Sequence, residues 1–345
     1  MKTGDKPPNS GMTSKRILVV GVGSIGERHV RCFLATGRAS VSIVDTNGRL
    51  RADVARRYGD LTQYDSVESA MQSQFDGAVI CTPAHLHIPL ALQFAGAGVS
   101  LLIEKPLSTN LSGIGELMDV VHKRSVHVAV AYVLRNHPAL AALRESLQSG
   151  RWGKPVQVVA NSGQHFPTYR PAYRQTYYAD RATGGGAIQD ALTHVTNAAQ
   201  WLVGPMTQVA ADAAHRVLDG VTVEDTVHVL ARHGDVLANY SLNQHQSPNE
   251  STLTVVCTNA VLRFEYHHGR FRWMAAPDTP WQDESFGPLE RDTLFIQQAN
   301  RFLDSFEGIP PLCSLSEAVE SVRTNLAILA AADSKRWIEV AEIQE

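Results

Sequence analysis

The stretch "ILVVGVGSIGERHV", residues 17–30, decides the fold. Four apolar residues lead into glycines at 21, 23 and 26, and a helix-forming run follows at once. Gly21 permits a tight turn out of a strand, Gly23 leaves backbone amides open to a pyrophosphate, and Gly26 lets the next helix lie close to that strand. The amides and dipole at the helix start then favour an anion. Alone, the G-x-G-x-x-G spacing is weak, so its surroundings matter. Here the next apolar run, "VSIVD", ends in Asp45, 19 residues beyond Gly26, where a carboxylate can accept from both ribose hydroxyls. A 2′-phosphate would meet that negative charge, so NAD is favoured over NADP. Arg49 and Arg51 keep NADP as the lesser alternative. The plainer alternative is a glycine-rich turn in a domain that binds no cofactor.

The same rhythm runs through the first third of the chain. Strand-like runs at 16–20, 40–44, 76–81, 100–104 and 127–132 are separated by helix-like segments near 24–37, 48–58, 65–73, 85–97 and 110–124. Asp65 and Glu68 have capping-box spacing. Strands apolar on both faces and joined by helices predict a parallel sheet covered on both sides, a Rossmann domain over 15–134. After about residue 135 the texture changes. A helix over 137–149 ends at Gly150; then "PVQVVANSG" and several β-branched or alternating runs between 206 and 275 predict a mostly antiparallel sheet. Helices near 290–307 and 316–333 close the chain, the second behind the capping-box pair Ser314 and Glu317. The expected fold class is therefore α/β, with an α+β domain carrying a large open sheet over 135–345. Residues 1–14 read as a disordered tail.

Composition bounds the function. The 345 residues, 44% apolar and 19% charged with net charge −3, suit a two-domain globular protein with a substantial core. Lys and Arg are spread along the chain, so no footprint for nucleic acid or an anionic membrane stands out. The longest apolar runs are too short to span a bilayer, and the first residues lack the apolar core of a secretory signal. Cys32, Cys81, Cys257 and Cys313 are scattered, which speaks against a zinc site and for a reducing, cytoplasmic setting. No metal is expected.

Two further stretches carry chemistry. "CTPAHLH" (81–87) ends a strand where open α/β sheets bind ligands, but His85 and His87, two apart, do not share a helical face. His87 reads most simply as a packing residue at a helix start. "IEKP" (103–106) is more pointed, because a proline there forces the chain out of the sheet beside the position of a nicotinamide. A lysine fixed at 105 can stabilise an alkoxide or carbonyl oxygen. The other stretch is "ATGGGAIQDALTHVTNAAQWLVG" (182–204), three glycines running into a helix. Ile188, Leu192, Val195, Ala199 and Leu202 fall within roughly 80° of arc and predict the buried face. Asp190, His194, Asn197 and Trp201 form a second stripe, a face other than the core. The glycines, lacking side chains, leave room there for a nicotinamide ring or a sugar.

Taken together, "GVGSIG" (21–26), "TPAHLH" (82–87), "EKP" (104–106), "RNHPAL" (135–140) and "GGGAIQDALTH" (184–194) resemble, in order and spacing, the Gfo/Idh/MocA family of dehydrogenases. The resemblance implies an NAD(P)-dependent oxidoreductase acting on a sugar, cyclitol or derivative, assembled as a homodimer or homotetramer through the C-terminal sheet. It implies a catalytic set of Lys105, Asp190 and His194, with either Lys105 or His194 as the base. Around the cofactor it implies Gly21, Gly23, Ser24, Ile25, Gly26, Asp45, Thr82, Pro83, His87, Glu104 and Lys105. The segment before the glycines would line the substrate pocket, where Arg170 and Arg174 can pair with a carboxylate or phosphate and Tyr173 can stack on a sugar ring, beside Asp190. Two alternatives stand: a bound NAD recycled during elimination or glycoside cleavage, and a non-catalytic dinucleotide-binding regulator.

Overall fold

The computed structural model describes residues 14–344, so the tail assigned to 1–14 lies, Ser14 apart, outside the described residues. Six parallel strands form the first sheet: β1 (Lys15–Val20), β2 (Ala39–Val44), β3 (Thr62–Tyr64), β4 (Gly77–Ile80), β5 (Ser100–Ile103) and β6 (Val128–Val130), in the order β3-β2-β1-β4-β5-β6. Their crossovers carry α1 (Ser24–Ala35), α2 (Gly48–Arg57), α3 (Val67–Ala70), α4 (His87–Gly96) and α5 (Ile114–Arg124). Ile17, Leu18, Val19 and Val20 are all buried, as a strand covered on both faces requires. The short edge strand β3 is missing from the sequence reading because "TQY" has too little apolar character to signal it. The capping box at α3 is Ser66 with Ser69, not Asp65 with Glu68: the serine side chain accepts the Ser69 N–H, and Asp65 accepts from the Ser69 hydroxyl.

The second sheet has nine strands, ordered β14-β13-β12-β11-β7-β10-β9-β8-β15. These are β7 (Pro155–Gly163), β8 (Gln208–Ala214), β9 (Thr226–His233), β10 (Val236–Asn243), β11 (Glu250–Cys257), β12 (Val261–Glu265), β13 (Arg270–Met274), β14 (Gln282–Ser285) and β15 (Ile338–Glu339). Only the β7–β10 pairing is parallel; the rest are antiparallel, as expected. Along β9, Val227, Val229 and Ala231 point into the core while His228, Leu230 and Arg232 face outward, the period-2 alternation of a sheet with one open face. The inner face packs against α6 (Pro138–Gln148), α8 (Thr193–Val203) and α10 (Leu315–Ser334); α7 (Phe166–Tyr169) is a single turn beyond β7.

One helix crosses the division drawn at residue 135. α9 (Thr293–Ser305) lays Ala299, Phe302 and Leu303 against Ile17, Val19, Phe33 and Val79, closing one face of the parallel sheet. Gly77 makes room for it: a Cβ there would stand 2.9 Å from the Phe302 ring. Helical periodicity gives α9 an apolar face but not the sheet that face will cover. The C-terminal half thus completes the core of the N-terminal one, and the two are joined around the site.

Candidate active site

The glycine turn has the geometry its residues predict. Gly21 has φ +83°, in the region that favours glycine, and a Cβ on Gly26 would sit 1.8 Å from the Gly21 carbonyl oxygen. Gly23, the residue before α1, is exposed, meets nothing within 4 Å of an added Cβ, and brings no side chain to cap the helix. The open α1 amides, with Ser24 exposed beside them, are therefore free for an anion. Asp45 stands across the turn: Oδ2 accepts the Val22 N–H at 2.8 Å and Oδ1 the Asn47 N–H at 2.8 Å. Thr82 Oγ1 is buried with no partner, and Pro83 is exposed at the end of β4. An ungated glycine cradle, an aimed carboxylate and an orphaned hydroxyl fit a dinucleotide.

His87 and Glu104 belong to a layer behind that surface, because both are buried and held by the protein itself. His87 is 1% exposed and packs between the β4 and β5 loops, its ring nitrogens 2.8 Å from the Thr82 carbonyl and 2.9 Å from the Pro106 carbonyl, one of which takes its single ring N–H. Glu104 is 6% exposed, bonded to His29 and to the Lys105 main chain. Both sit under the site rather than facing a ligand.

Lys105 emerges from the β5 loop and crosses to the second half of the chain. Its ammonium donates to Asp190 Oδ1 at 3.1 Å and to the Asp190 carbonyl at 2.8 Å. Tyr177, unremarked in the sequence, donates its hydroxyl to the same Asp190 oxygen at 2.6 Å. Burial alone would raise the Asp190 carboxyl, but Lys105, Arg170 and the tyrosine hydroxyl outweigh it and hold it at about 2. His194 is pushed down to about 3 by burial and the Lys105 cation, so its imidazole is neutral at physiological pH. Its Nδ1 is buried without a partner, and the Tyr132 ring stands edge-on at 6.0 Å.

The helix bearing these groups begins with a π-helical turn, Ile188–Leu192, before continuing as α8. Such turns re-aim side chains and often mark functional sites. Its second stripe is not an open face. Asn197 is 1% exposed and accepts from Arg135 Nε at 2.9 Å, while Thr193 meets the Tyr132 hydroxyl at 3.0 Å and Asn325 at 3.0 Å. The stripe is a buried polar seam, since α8 is flanked by both halves of the molecule. The glycines, too, serve packing rather than open space. An added Cβ would lie 3.0 Å from the Ala84 methyl at Gly184, 2.2 Å from the Tyr178 carbonyl at Gly185 and 2.4 Å from Glu224 Oε1 at Gly186; the first and last have positive φ. They let the segment press against the β4 loop. Glu224, 1% exposed and absent from the sequence reading, accepts the Ile188 N–H at 3.2 Å and so caps the helix start from the loop before β9.

A cavity of 210 Å³ opens beside the triad, lined by Lys105, Asp190 and His194, by Arg170 and Phe166, and by Gln244 from the end of β10. Two expected substrate residues lie elsewhere. Tyr173 is 3% exposed with its hydroxyl on the Asp219 carbonyl, and Arg174 Nε donates to that carbonyl at 2.7 Å. Their loop turns them toward Gly220 instead.

The buried imidazoles make stability depend on pH. His194 (about 3) and His137 (about 4, lowered by burial) sit below the ordinary value of about 6.5. Below that value the unfolded chain takes up protons that the native chain refuses. The stabilisation is therefore complete above about 6.5 and falls by about 1.4 kcal/mol per imidazole per pH unit below it. The urea midpoint should drop between pH 7 and 5, and less so in His194→Asn. A midpoint flat over that range contradicts the neutral, buried imidazoles.

With this geometry in view, comparison with known proteins places the chain among two-domain NAD-binding oxidoreductases. Residues 15–132 match the model of an oxidoreductase family with an NAD-binding Rossmann fold, and residues 140–263 match the GFO/IDH/MocA C-terminal domain. The chain belongs to the GFO/IDH/MocA family. It is 28% identical to the rhizopine catabolism protein MocA of Rhizobium meliloti over 56% of this chain and 58% of that one. It is 24% identical to levoglucosan dehydrogenase of Pseudarthrobacter phenanthrenivorans over 96% of this chain and all of the other. An inositol 2-dehydrogenase of Acidothermus cellulolyticus is 29% identical over 67% and 66% of the two chains. In fold, a levoglucosan dehydrogenase solved with NADH and levoglucosan superposes with a TM-score of 0.86 at 21% identity, covering 96% of this chain and 100% of that one. Among the described residues no helix is long and apolar enough to cross a membrane.

Proposed function

We propose that the protein oxidises a hydroxyl of a sugar, cyclitol or close derivative with NAD, reversibly. The observation that carries this reading is the Lys105 ammonium reaching from the β5 loop to Asp190, with His194 on the wall of the same cavity. The sugar- and cyclitol-specific relatives support the substrate class. Gly21, Gly23, Ser24, Ile25 and Gly26 would receive the pyrophosphate, Asp45 the ribose, and Thr82 and Pro83 the nicotinamide half. NAD, when bound, accepts a hydride from the carbon bearing the hydroxyl.

The protein's own groups do the rest. Lys105 donates a hydrogen bond to the reacting oxygen and stabilises charge developing there. Asp190, its carboxyl held at about 2 and so ionised at working pH, holds the lysine and accepts from a neighbouring hydroxyl. His194, neutral at working pH and on the wall of the cavity, has a free ring lone pair with which to take the hydroxyl proton. Phe166 and Leu242 help keep water from the cavity. Arg170 lines the same cavity and adds positive charge beside Asp190, which suits an acidic or nucleotide-linked sugar.

The outer face of the nine-stranded sheet, with Leu230 55% and Leu237 51% exposed, is suited to joining copies into a homodimer or homotetramer. Four buried free thiols are in keeping with a cytoplasmic setting.

The test is a panel of neutral sugars, cyclitols, uronates and nucleotide sugars, followed by the near-ultraviolet absorbance of NADH. At least one member should reduce NAD steadily. Tightly retained NAD with sugar turnover but no net NADH would replace the dehydrogenase by the recycling alternative, and no turnover of any kind would defeat the catalytic reading.

A further inference from the structure

His29 lies on α1, the helix that opens at the glycine turn, yet its ring is fully buried, with Phe295 edge-on at 5.7 Å. Nε2 stands 2.7 Å from Glu104 Oε1, and Nδ1 is buried without a partner. The ring proton therefore belongs on Nε2, where it meets a carboxylate, and the bare lone pair on Nδ1. Glu104 Oε2 accepts the Lys105 main-chain N–H at 3.1 Å. Each carboxylate oxygen thus has one donor, His29 on one side and the Lys105 backbone on the other. From the dinucleotide helix a single line of contacts runs through His29 and Glu104 to Lys105 and on to Asp190. Without the histidine a carboxylate only 6% exposed would keep one partner, a state that favours turning away or taking up a proton.

We propose that His29 is a positioning residue of this active site: by holding the Glu104 carboxylate it fixes the backbone at Lys105 and so aims the ammonium at Asp190 and the cavity. The inference rests on Lys105 belonging to the site, but its test needs no turnover, so it fails separately from the panel above.

The test is the reactivity of Lys105. Native protein and the variants His29→Gln, His29→Asn and His29→Leu are methylated with formaldehyde and cyanoborohydride, and each lysine is followed by peptide mass spectrometry. Glutamine carries its N–H as far as Nε2 does, whereas asparagine stops near the depth of Nδ1. Lys105 should react at least about 5-fold faster in the Asn and Leu variants and within about 2-fold of native in the Gln variant. Lys15, Lys154 and Lys335 should keep their native rates throughout, and NADH affinity should stay within about 3-fold. If the Leu variant does not fold, the Gln–Asn pair carries the comparison. Equal Lys105 rates in all proteins, a Gln variant as fast as Asn, or acceleration of every lysine together would overturn the proposal.

Discussion

Replacing Lys105 or His194 by alanine is expected to lower turnover at least about 100-fold on whichever sugar reduces NAD best, while NADH affinity stays nearly unchanged. The size follows from what each group is placed to do. Lys105 is the cation bonded to Asp190 at the cavity wall, and deleting it removes stabilisation of charge on the reacting oxygen. It also strips the Asp190 carboxylate, 6% exposed, of its strongest charge partner. His194 is the neutral imidazole on the same wall. The adenine half of NAD and its pyrophosphate would be held elsewhere, at the glycine turn and Asp45, which is why affinity should survive. Initial-rate kinetics with a fluorescence titration of NADH separates the two effects. Near-native turnover in both variants would remove these residues from the chemistry.

The second large effect concerns the glycine turn, where two substitutions of equal size should both weaken NADH binding but only one should lower stability. In Gly26→Ala the new methyl would stand 1.8 Å from the Gly21 carbonyl oxygen, so the turn or α1 must move. Overpacking of this kind costs about 1–3 kcal/mol. The variant should melt several degrees lower and bind NADH at least about 30-fold more weakly. In Gly23→Ala the methyl meets nothing in the protein within 4 Å. It projects where the pyrophosphate would approach, so this variant should melt like native and still lose about 30-fold in NADH affinity. Thermal melts beside NADH fluorescence decide it. A Gly23→Ala protein that binds NADH at full strength would put the dinucleotide somewhere other than this turn.

What the sequence makes legible here is whatever is local. The glycine turn at 21–26, the capping box at Ser314 and Glu317, and the alternation along β9 rest on sterics and periodicity within a few residues, and all three stand in the structure. The triad is legible only through resemblance, since nothing local to Lys105 tells that it will meet a residue 85 positions later. Groups whose meaning comes only from a distant partner were missed. His29 is an ordinary helix residue until Glu104 is beside it, and Glu224 is an ordinary loop acid until the Ile188 amide arrives. The glycine triplet shows a subtler failure. Its absent side chains suggest space for a ligand, whereas the space is taken by Ala84, Tyr178 and Glu224. Arg174 and Tyr173 show a related limit: a loop rich in Tyr and Arg suggests a pocket, but the Asp219 carbonyl draws these two away from it.

The central claim is spatial, and a crystal structure with NADH bound tests it most directly. The pyrophosphate should rest on the α1 amides beside Gly23, and the nicotinamide ring should enter the cavity along the edge formed by Lys105, Asp190 and His194. A nicotinamide lying outside that cavity, or a bound state in which the lysine and histidine no longer share it, would contradict the account.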